Sequence, residues 1–488
     1  MFGITRAPDF DRAGLTWVNV GKPLTLADFS GKLLILDFFT YCCINCIHVQ
    51  PTLRRIEEAF ANEVVVVGVH SPKFMAERFD GNLRQAIARH DIRHPVVHDP
   101  HLTLWDEYAV RAWPTLVFVS PQGRVIGRLA GEPNTDMLLQ GIRNMVAEFW
   151  RRGEISPAPF PVSPPARPAG RLSFPGKIKL APLARGRAWA VADAGHHQIV
   201  LFDDLGRELR RYGAGIEGFE DGPAESARFR SPQGLACVID AIFVADTGNH
   251  AIRRIDRTTG EVRTVAGMGV RGPAIEGRAQ GLRTALASPW DLELLGNDLY
   301  FANAGSHQIG RLDLGSGGVE SAAGCGIEDI ADGPALEAGL AQPSGLAVDA
   351  RARSVYFADS ETSSVRALRL DGAARVETLV GTGLFDAGHV NGAFSQALFQ
   401  HPLGLTVFGR RLLVADSYNG AIRQLDLRSR TVTDLEMPRC QDPLCRPLGE
   451  PAGIAAAGRT RLLVSDTNNH RILEYRLDQG TMRSWAAP

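Results

Sequence analysis

The chain has 488 residues, of which 44% are apolar and 22% charged, and its formal net charge is −1. A chain about three times the usual domain length should hold at least two domains, and a charge near zero gives no electrostatic reason to expect nucleic acid or an anionic membrane as a partner. Seven cysteines are few and odd in number, which argues against a disulfide framework and favours a reducing compartment.

The N-terminal stretch MFGITRAPDFDRAGLTWVNV has no apolar segment after a basic start. Nowhere in the chain do about 18 apolar residues run together, which is the length a membrane-spanning helix needs. We therefore expect a soluble, unexported protein of the cytoplasm.

Residues 33–60 read as an apolar strand, a cysteine-bearing turn and an amphipathic helix that contains Pro51. Cys43 and Cys46 form a C-x-x-C where the strand gives way to the helix. Cys43 should lie at the helix N-terminus, where unpaired N–H groups and the helix dipole favour an anion such as a thiolate. A thiol pair one helical turn apart is suited to thiol–disulfide exchange.

Two other interpretations of the pair stay open. Half of a zinc site would look the same locally, but no second C-x-x-C or ordered Cys/His pair follows in this domain, and His48 points to another helix face. The pair could also be structural, without turnover.

The remaining elements of residues 1–150 alternate between strands and helices. We predict a strand at 63–70, a helix at 78–92, a strand at 94–99, a hairpin of 115–120 with 124–131, and a helix at 134–150. This order is typical of a mixed α/β sheet covered by helices.

The segment DFFTYCCINC resembles the TlpA/peroxiredoxin-like branch of the thioredoxin fold. The resemblance implies that Cys43 attacks, that Cys46 resolves, and that Asp37 is a buried acid of raised pKa that serves proton transfer. A structural strand-end acid bonded to the backbone is the alternative for Asp37. The resemblance also implies a substrate-binding loop with a cis-proline at Trp113-Pro114-Thr115.

Two features depart from that pattern. Cys42 stands where the fold usually has tryptophan, and Ile44-Asn45 replaces the usual Gly-Pro between the cysteines. A Cys42–Cys43 bond would be strained, so Cys42 is interpreted as a possible additional redox thiol.

Residues 151–170 are rich in proline and are predicted to be a semi-rigid connector between residues 1–150 and residues 171–488. Beyond it one phrase recurs six times, with its leading Asp or Asn every 50 to 57 residues, at 193, 246, 303, 359, 416 and 466. Four short strands per repeat predict an all-β, six-bladed propeller. The phrase resembles the NHL repeat, and the last blade should complete itself without a strand borrowed from the N-terminal side.

Residues that recur in each repeat are interpreted as structural. These are the aspartates and the histidines at 197, 250, 307 and 470, which Ser364 and Gly420 replace in two blades. Arginines 253, 366, 423 and 471 are expected to be solvated or salt-bridged between blades, with a phosphate-binding stripe as the alternative. Cys440 and Cys445 are either a loop disulfide or free thiols.

The order of the parts resembles the NHL-repeat-containing protein 2 family over essentially the whole chain. We expect a monomeric thiol–disulfide oxidoreductase without cofactor or metal, whose propeller face and cis-proline loop bind protein clients. The alternative is a non-catalytic binding scaffold, because propellers are more often platforms than catalysts. A propeller enzyme of lyase or lactonase type ranks third, because no His/Asp/Glu cluster stands apart from the repeat positions.

Overall fold

The computed structural model describes residues 5–164, 170–437, 439–442 and 446–486. The chain divides into two compact units, residues 1–168 and residues 169–488. Within the described residues, no helix is both long enough and apolar enough to cross a membrane.

The first unit is built on one six-stranded sheet with the strand order β1-β4-β3-β2-β5-β6. The strands are β1 Thr16–Val18, β2 Leu33–Phe39, β3 Val64–His70, β4 Val96–His98, β5 Thr115–Val119 and β6 Val125–Ala130. The helices are α1 Ile44–Ala59, α2 Asp80–Arg89, α3 Thr103–Glu107 and α4 Thr135–Arg151. The thioredoxin-like α/β fold is confirmed, although β1 and α3 are too short for the sequence pattern to have predicted them.

The central strands β2 and β3 are parallel and buried along their whole length. Their alternate residues enter two cores, because helices cover both faces of the sheet. On one face Leu33 and Ile35 pack with Val49, Leu53 and Ile56 of α1. Asp37 follows Leu33 and Ile35 in the same alternation along β2, so its side chain lies on this face as well.

The start of the proline-rich connector is bonded to the first unit. The ammonium group of Lys32 is buried and donates to the carbonyl oxygens of Asn62 (2.8 Å), Ala158 (2.7 Å) and Ser156. The ring of Phe160 stacks on Phe29 with centroids 5.1 Å apart. These hydrogen bonds and the ring contact hold residues 156–160 against the first unit, which the proline content alone did not indicate.

Six sheets follow in the second unit, one for each repeat, and form a six-bladed propeller, which confirms the predicted fold. Blade 1 has β7 Pro175–Pro182, β8 Arg187–Asp193, β9 Gln198–Asp203 and β10 Glu208–Tyr212. Blade 2 has β11 Gly234–Cys237, β12 Ala241–Asp246, β13 Ala251–Asp256 and β14 Val262–Gly267. Blade 3 has β15 Arg278–Gln280, β16 Pro289–Leu295, β17 Asp298–Asn303, β18 Gln308–Asp313 and β19 Gly318–Ala323.

The last three blades have five strands each. Blade 4 has β20 Gly333–Pro334, β21 Pro343–Asp349, β22 Ser354–Asp359, β23 Ser364–Arg369 and β24 Arg375–Val380. Blade 5 has β25 Gly392–Ala393, β26 Gly404–Phe408, β27 Arg411–Asp416, β28 Ala421–Asp426 and β29 Thr431–Asp434. Blade 6 has β30 Arg439–Cys440, β31 Pro451–Ala456, β32 Arg461–Asp466, β33 Arg471–Arg476 and β34 Thr481–Ala486.

Blade 6 completes itself, as the sequence predicts, because its five strands all come from residues 439–486. The ring then closes through side chains. The hydroxyl of Thr467 donates to the carbonyl oxygen of Pro175 (2.8 Å), and the Lys177 ammonium donates to that of Ala452 (2.8 Å).

In five of the six blades the recurring aspartate is buried and forms an ion pair with an arginine, whereas blade 3 has Asn303 in its place, which donates to the hydroxyl of Ser306 (2.7 Å). In blade 2 the guanidinium of Arg253 lies 2.8 Å from the carboxylate of Asp246, and neither side chain is exposed. Asp246 also accepts the backbone N–H of Arg230 (2.8 Å), which precedes the innermost strand. Similar pairs are Asp359–Arg366, Asp416–Arg423 and Asp466–Arg471. In blade 1 the partner of Asp193 is instead the partly exposed Arg211 of the outermost strand. The structural interpretation of the aspartates is confirmed. The four arginines are buried and pair within their own blades, so the expectation that they are solvated or salt-bridged between blades is wrong, and burial also argues against the phosphate stripe.

The recurring histidines join neighbouring blades. The Nδ1 atom of His197 accepts the backbone N–H of Ser231 at the start of the next blade (3.1 Å), and His470 does the same for Phe174 across the closure (3.1 Å). In blade 4 the equivalent residue is Ser363, whose hydroxyl accepts the N–H of His401 (3.2 Å). The alignment that placed Ser364 in this position is therefore wrong by one residue.

Candidate active site

The cysteine pair lies where β2 gives way to α1. Cys43 is the residue that caps α1, with φ −78° and ψ 120°, and its carbonyl oxygen accepts the first helical N–H, from Ile47 (3.1 Å). Cys43 is partly exposed and Cys46 is buried, and both are free thiols. The N–H groups of the first helical turn favour an anion at this end of the helix, although the Cys43 side chain itself makes no capping hydrogen bond.

The Cys43 thiol and the backbone N–H of Thr40 both lie near enough to the Cys46 sulfur to affect its pKa. Burial raises the pKa of Cys46 well above its usual range, and the neighbouring Cys43 thiol and Asp37 carboxylate raise it further. Cys46 is therefore held as a neutral thiol until a base accepts its proton.

Asp37 is fully buried on β2, on the face covered by α1. Its Oδ2 atom accepts a hydrogen bond from Nε2 of Gln50 on α1 (3.1 Å), while Oδ1 has no partner among the described residues. Burial raises the pKa of Asp37 to about 7, because desolvation penalises the charged form more than the nearby His94 and the Gln50 bond favour it. The observed bond goes to a side chain and not to the backbone, in contrast to the structural alternative.

Glu77 holds the turn that precedes the cysteines, and the sequence did not indicate it. Its carboxylate accepts the hydroxyl of Thr40 (2.6 Å), the backbone N–H of Cys42 (3.1 Å) and the N–H groups of Lys73 (2.7 Å) and Phe74 (3.1 Å). Burial raises its pKa, and these bonds oppose the rise. The buried Cys42 is thus fixed through its backbone.

The loop at 113–115 lies beside the cysteine turn. The Trp113–Pro114 peptide bond is cis, the geometry that the resemblance implied. Thr115 pairs with Phe38 at the end of β2 from which the turn departs. The indole N–H of Trp113 donates to the carbonyl oxygen of Ser71 (3.0 Å), and Pro114 is buried. The structure therefore brings all three loop residues to the edge where the cysteines emerge.

Two buried histidines lie behind the turn. His70 ends β3 and His98 ends β4 in the same register, with ring centroids 5.1 Å apart, and Tyr41 stacks on His70 at 5.3 Å. Burial lowers the pKa of His70 well below its usual range, and His98 lowers it further. The neutral imidazole of His70 thus lies behind the turn. A histidine at each of two neighbouring strand ends was the only sequence signal for this cluster.

The other cysteines lie in the propeller. Cys237 is partly buried, and burial raises its pKa to about 12, whereas Cys325 is exposed. Cys440 is a free thiol in the structure, and Cys445 lies outside the described residues.

Comparisons with known proteins cover both parts. A family model described as thioredoxin-like matches residues 31–125. The chain is 37% identical over 517 residues to NHL repeat-containing protein 2 of Bos taurus, covering 97% of this chain and 70% of that protein. It is 36% identical over 499 residues to Protein SUPPRESSOR OF QUENCHING 1, chloroplastic, of Arabidopsis thaliana, covering 98% of this chain and 47% of that protein. A crystal structure of a thioredoxin-like superfamily protein is 25% identical, with a TM-score of 0.27, and covers 29% of this chain and 96% of that one.

Proposed function

We propose that this chain, which belongs to the NHL repeat-containing protein 2 family, is a thiol–disulfide oxidoreductase whose propeller docks protein clients. The observation that carries the proposal is the arrangement of three groups. Cys43 caps α1 and is partly exposed, Cys46 is a buried free thiol close to it, and one oxygen of the buried Asp37 carboxylate has no hydrogen-bond partner among the described residues. This is the set that a nucleophile, a resolving thiol and a base require.

The reaction passes two electrons from the protein dithiol to a client disulfide. The Cys43 thiolate attacks one client sulfur, forms a mixed disulfide and releases the other client sulfur as a thiolate. Cys46 then gives its proton to Asp37 and attacks the Cys43 sulfur. The Cys43–Cys46 disulfide forms, and the second client sulfur leaves as a thiol once protonated.

The loop Trp113-Pro114-Thr115 is the proposed client-binding segment. Proline has no N–H, and a strand-like client segment can pair with the adjacent backbone. The loop borders the cysteine turn because Thr115 pairs with Phe38. A client held there would present its disulfide to Cys43.

The propeller contributes exposed apolar side chains at equivalent places. In each of the first three blades a Gly-x-Gly begins at or just after the end of the last strand. The residue that follows it is apolar and exposed: Ile216, Val270 and Ile327. A repeated apolar residue on inter-blade connectors fits a surface that binds protein. Docking there raises the local concentration of the client near the thiols, and we place the reaction in the reducing cytoplasm.

A disulfide-reduction assay tests the proposal. We expect Cys43→Ser and Cys46→Ser each to abolish reduction of a disulfide-bonded protein such as insulin with dithiothreitol as electron donor. Cys325→Ser, which removes an exposed thiol of the propeller, is the matched control and should keep full activity. Equal activity of the wild type and both site variants would overturn the proposal.

A binding scaffold without turnover is the second candidate. It is favoured by Cys42 and Ile44-Asn45, which replace residues of the usual active-site pattern. Thiol titration separates the two, because a scaffold requires no reactive thiolate at Cys43, whereas an oxidoreductase does.

A further inference from the structure

Three buried side chains at the cysteine turn form a chain of hydrogen bonds that the proposed reaction does not use. They are Cys42, Thr40 and Glu77, which are 3%, 0% and 0% exposed. The Oγ1 atom of Thr40 lies 2.6 Å from Oε2 of Glu77 and 3.4 Å from Sγ of Cys42. The Thr40 hydroxyl therefore stands between a carboxylate and a thiol.

The hydrogen in the shorter of these contacts comes from the Thr40 hydroxyl. Oε2 of Glu77 also accepts the backbone N–H groups of Lys73 (2.7 Å) and Phe74 (3.1 Å), and Oε1 accepts that of Cys42 (3.1 Å). An N–H group can only donate, and these bonds favour the charged carboxylate, which can only accept. A hydroxyl in contact with this carboxylate is therefore the donor.

The same hydroxyl accepts a hydrogen bond from Cys42. A hydroxyl has one hydrogen, and that of Thr40 is used in the bond to Glu77. The Cys42 thiol therefore supplies the hydrogen in its 3.4 Å contact with Oγ1. This bond stabilises the neutral thiol, because a thiolate has no hydrogen to donate.

The backbone of the turn keeps Cys42 in this contact. Its N–H donates to Oε1 of the carboxylate whose Oε2 accepts the Thr40 hydroxyl, so Glu77 holds both residues at once. The next residue is placed differently, because Cys43 caps α1 and is partly exposed. Two adjacent thiols thus have opposite surroundings.

We propose that Thr40 and Glu77 are positioning residues that keep Cys42 protonated and out of thiol–disulfide exchange, so that the disulfide forms between Cys43 and Cys46. The proposal rests on the proposed oxidoreductase function. The side chains of Thr40 and Glu77 act only through Cys42.

A third reactive thiol would open a competing route. Once Cys43 holds a client sulfur, an attacking thiolate forms one bond to the Cys43 sulfur, and the client sulfur leaves with the electron pair of the broken bond. Attack by Cys46 gives the product disulfide, whereas attack by Cys42 would join adjacent residues in a strained bond. The thiolate is the nucleophile, so a Cys42 held as a thiol leaves only the first route.

The test is which cysteines of the full chain enter the disulfide. Reduced protein is mixed with oxidised glutathione and quenched with acid, and its remaining thiols are blocked with N-ethylmaleimide in denaturant. The disulfides are then reduced and blocked with deuterated N-ethylmaleimide. Trypsin releases the peptide 33–54, which contains all three cysteines, and its fragment masses show which label each one carries.

In the wild type we expect the deuterated label on Cys43 and Cys46 and the light label on Cys42. Thr40→Val keeps the shape of the side chain and the backbone N–H near Cys46, but removes the hydroxyl. The share of disulfide that includes Cys42 should rise about tenfold from its low wild-type level, which corresponds to about 1.4 kcal/mol, or one hydrogen bond. Thr40→Ser keeps a hydroxyl and should restore the wild-type pairing.

Thr52→Val is the matched control. The Thr52 hydroxyl contacts that of Thr135 at 2.7 Å, on the body of α1, and lies in the same peptide. Its labelling should equal that of the wild type. Cys42→Ala is the second variant if Thr40→Val fails to fold, and it should form the Cys43–Cys46 disulfide at the wild-type rate, since Cys42 takes no part.

The outcomes separate the role of Thr40 and Glu77 from the function it serves. No glutathione adduct at Cys43 and no Cys43–Cys46 disulfide in the wild type would overturn the proposed function. If the wild type forms that disulfide, three results would each overturn the positioning role alone. These are a large wild-type share of disulfides that include Cys42, a slower reaction in Cys42→Ala, and a Thr40→Val pattern equal to that of the wild type or of Thr40→Ser.

Discussion

A buried carboxylate loses its hydrogen bonds to water. The aspartates of the propeller and Asp37 of the thioredoxin-like domain differ in how many protein hydrogen bonds replace them. Asp246 in blade 2 accepts bonds from Arg253, Asn249 and the backbone N–H of Arg230, each at 2.8 Å. Asp37 accepts one neutral bond, at 3.1 Å, and its other oxygen has no partner in the described part of the chain. Burial raises the pKa of both acids, to about 7 for Asp37 and to about 6 for Asp246, so burial alone does not distinguish them. The number of hydrogen bonds to the carboxylate does, because each bond to the anion lowers the pKa that desolvation has raised.

The largest expected effect comes from breaking a propeller pair. Arg253→Met leaves the Asp246 carboxylate buried without its cation and removes the bond between Arg253 and Asp221. Breaking one partner of a buried pair costs about 3–5 kcal/mol of unfolding free energy. Hydrogen exchange of β11–β14 at increasing urea measures it.

Arg254→Met is the matched control for that experiment. Arg254 is the next residue, and its ion pair with Asp240 lies at the surface at 3.2 Å. Exposed pairs contribute about 0–1 kcal/mol, so blade 2 should keep its stability. Equal losses in both variants would contradict the distinction between the two pairs.

Asp37→Asn should act in the opposite direction and stabilise the first unit. The pKa of Asp37 is about 7 in the folded chain against 3.8 in the unfolded one, so the folded state binds more protons between these values. Its contribution to stability is fully present below pH 3.8 and is lost as pH rises through 7. At pH 8 the variant should gain up to about 4 kcal/mol, at 1.36 kcal/mol per pKa unit.

The gain should disappear as pH falls toward 4, and disulfide reduction should fall at all pH values. Hydrogen exchange of β2 and β3 at pH 5 and pH 8 measures the stability. Asp136→Asn, which changes an exposed acid of the same unit, is the control and should show no such pH dependence. A gain that is equal at both pH values would contradict a raised pKa.

Glu77→Gln should loosen the cysteine turn. An amide has a single acceptor oxygen, so it cannot replace both carboxylate oxygens that hold Thr40 and the N–H of Cys42. We expect a loss of about 1–3 kcal/mol and faster hydrogen exchange at residues 40–43. Glu107→Gln, at a partly exposed position, should leave that exchange unchanged, and unchanged exchange in both variants would contradict the role of Glu77.

The smallest effect concerns the closure of the propeller. Burial lowers the pKa of His470, so the unfolded chain binds more protons just below pH 6.5, and the contribution of His470 is present above pH 6.5 and lost as pH falls. Protonation also removes the acceptor for the N–H of Phe174. His470→Asn should remove this pH dependence at a cost of about 1 kcal/mol. An unchanged pH dependence of hydrogen exchange in β7 and β31 would contradict this account.

Sequence patterns predicted the parts of the molecule that depend on local order. The apolar run of β2 followed by Cys43 predicted the helix start, and the phrase that recurs every 50 to 57 residues predicted six blades. The site residues that the patterns missed act across long sequence distances. Glu77 bonds to a turn 35 residues earlier, and His94 covers Gly68 beside Asp37. Such contacts depend on how strands are ordered in the sheet, which no local pattern contains.

Trapping with oxidised glutathione tests the central claim most directly. In the Cys46→Ala chain, the account predicts that peptide 33–54 carries a stable glutathione adduct on Cys43, whereas the wild type converts the adduct into the Cys43–Cys46 disulfide. An adduct on Cys42 instead, or no adduct in either chain, would contradict the assignment of Cys43 as nucleophile and Cys46 as resolving thiol.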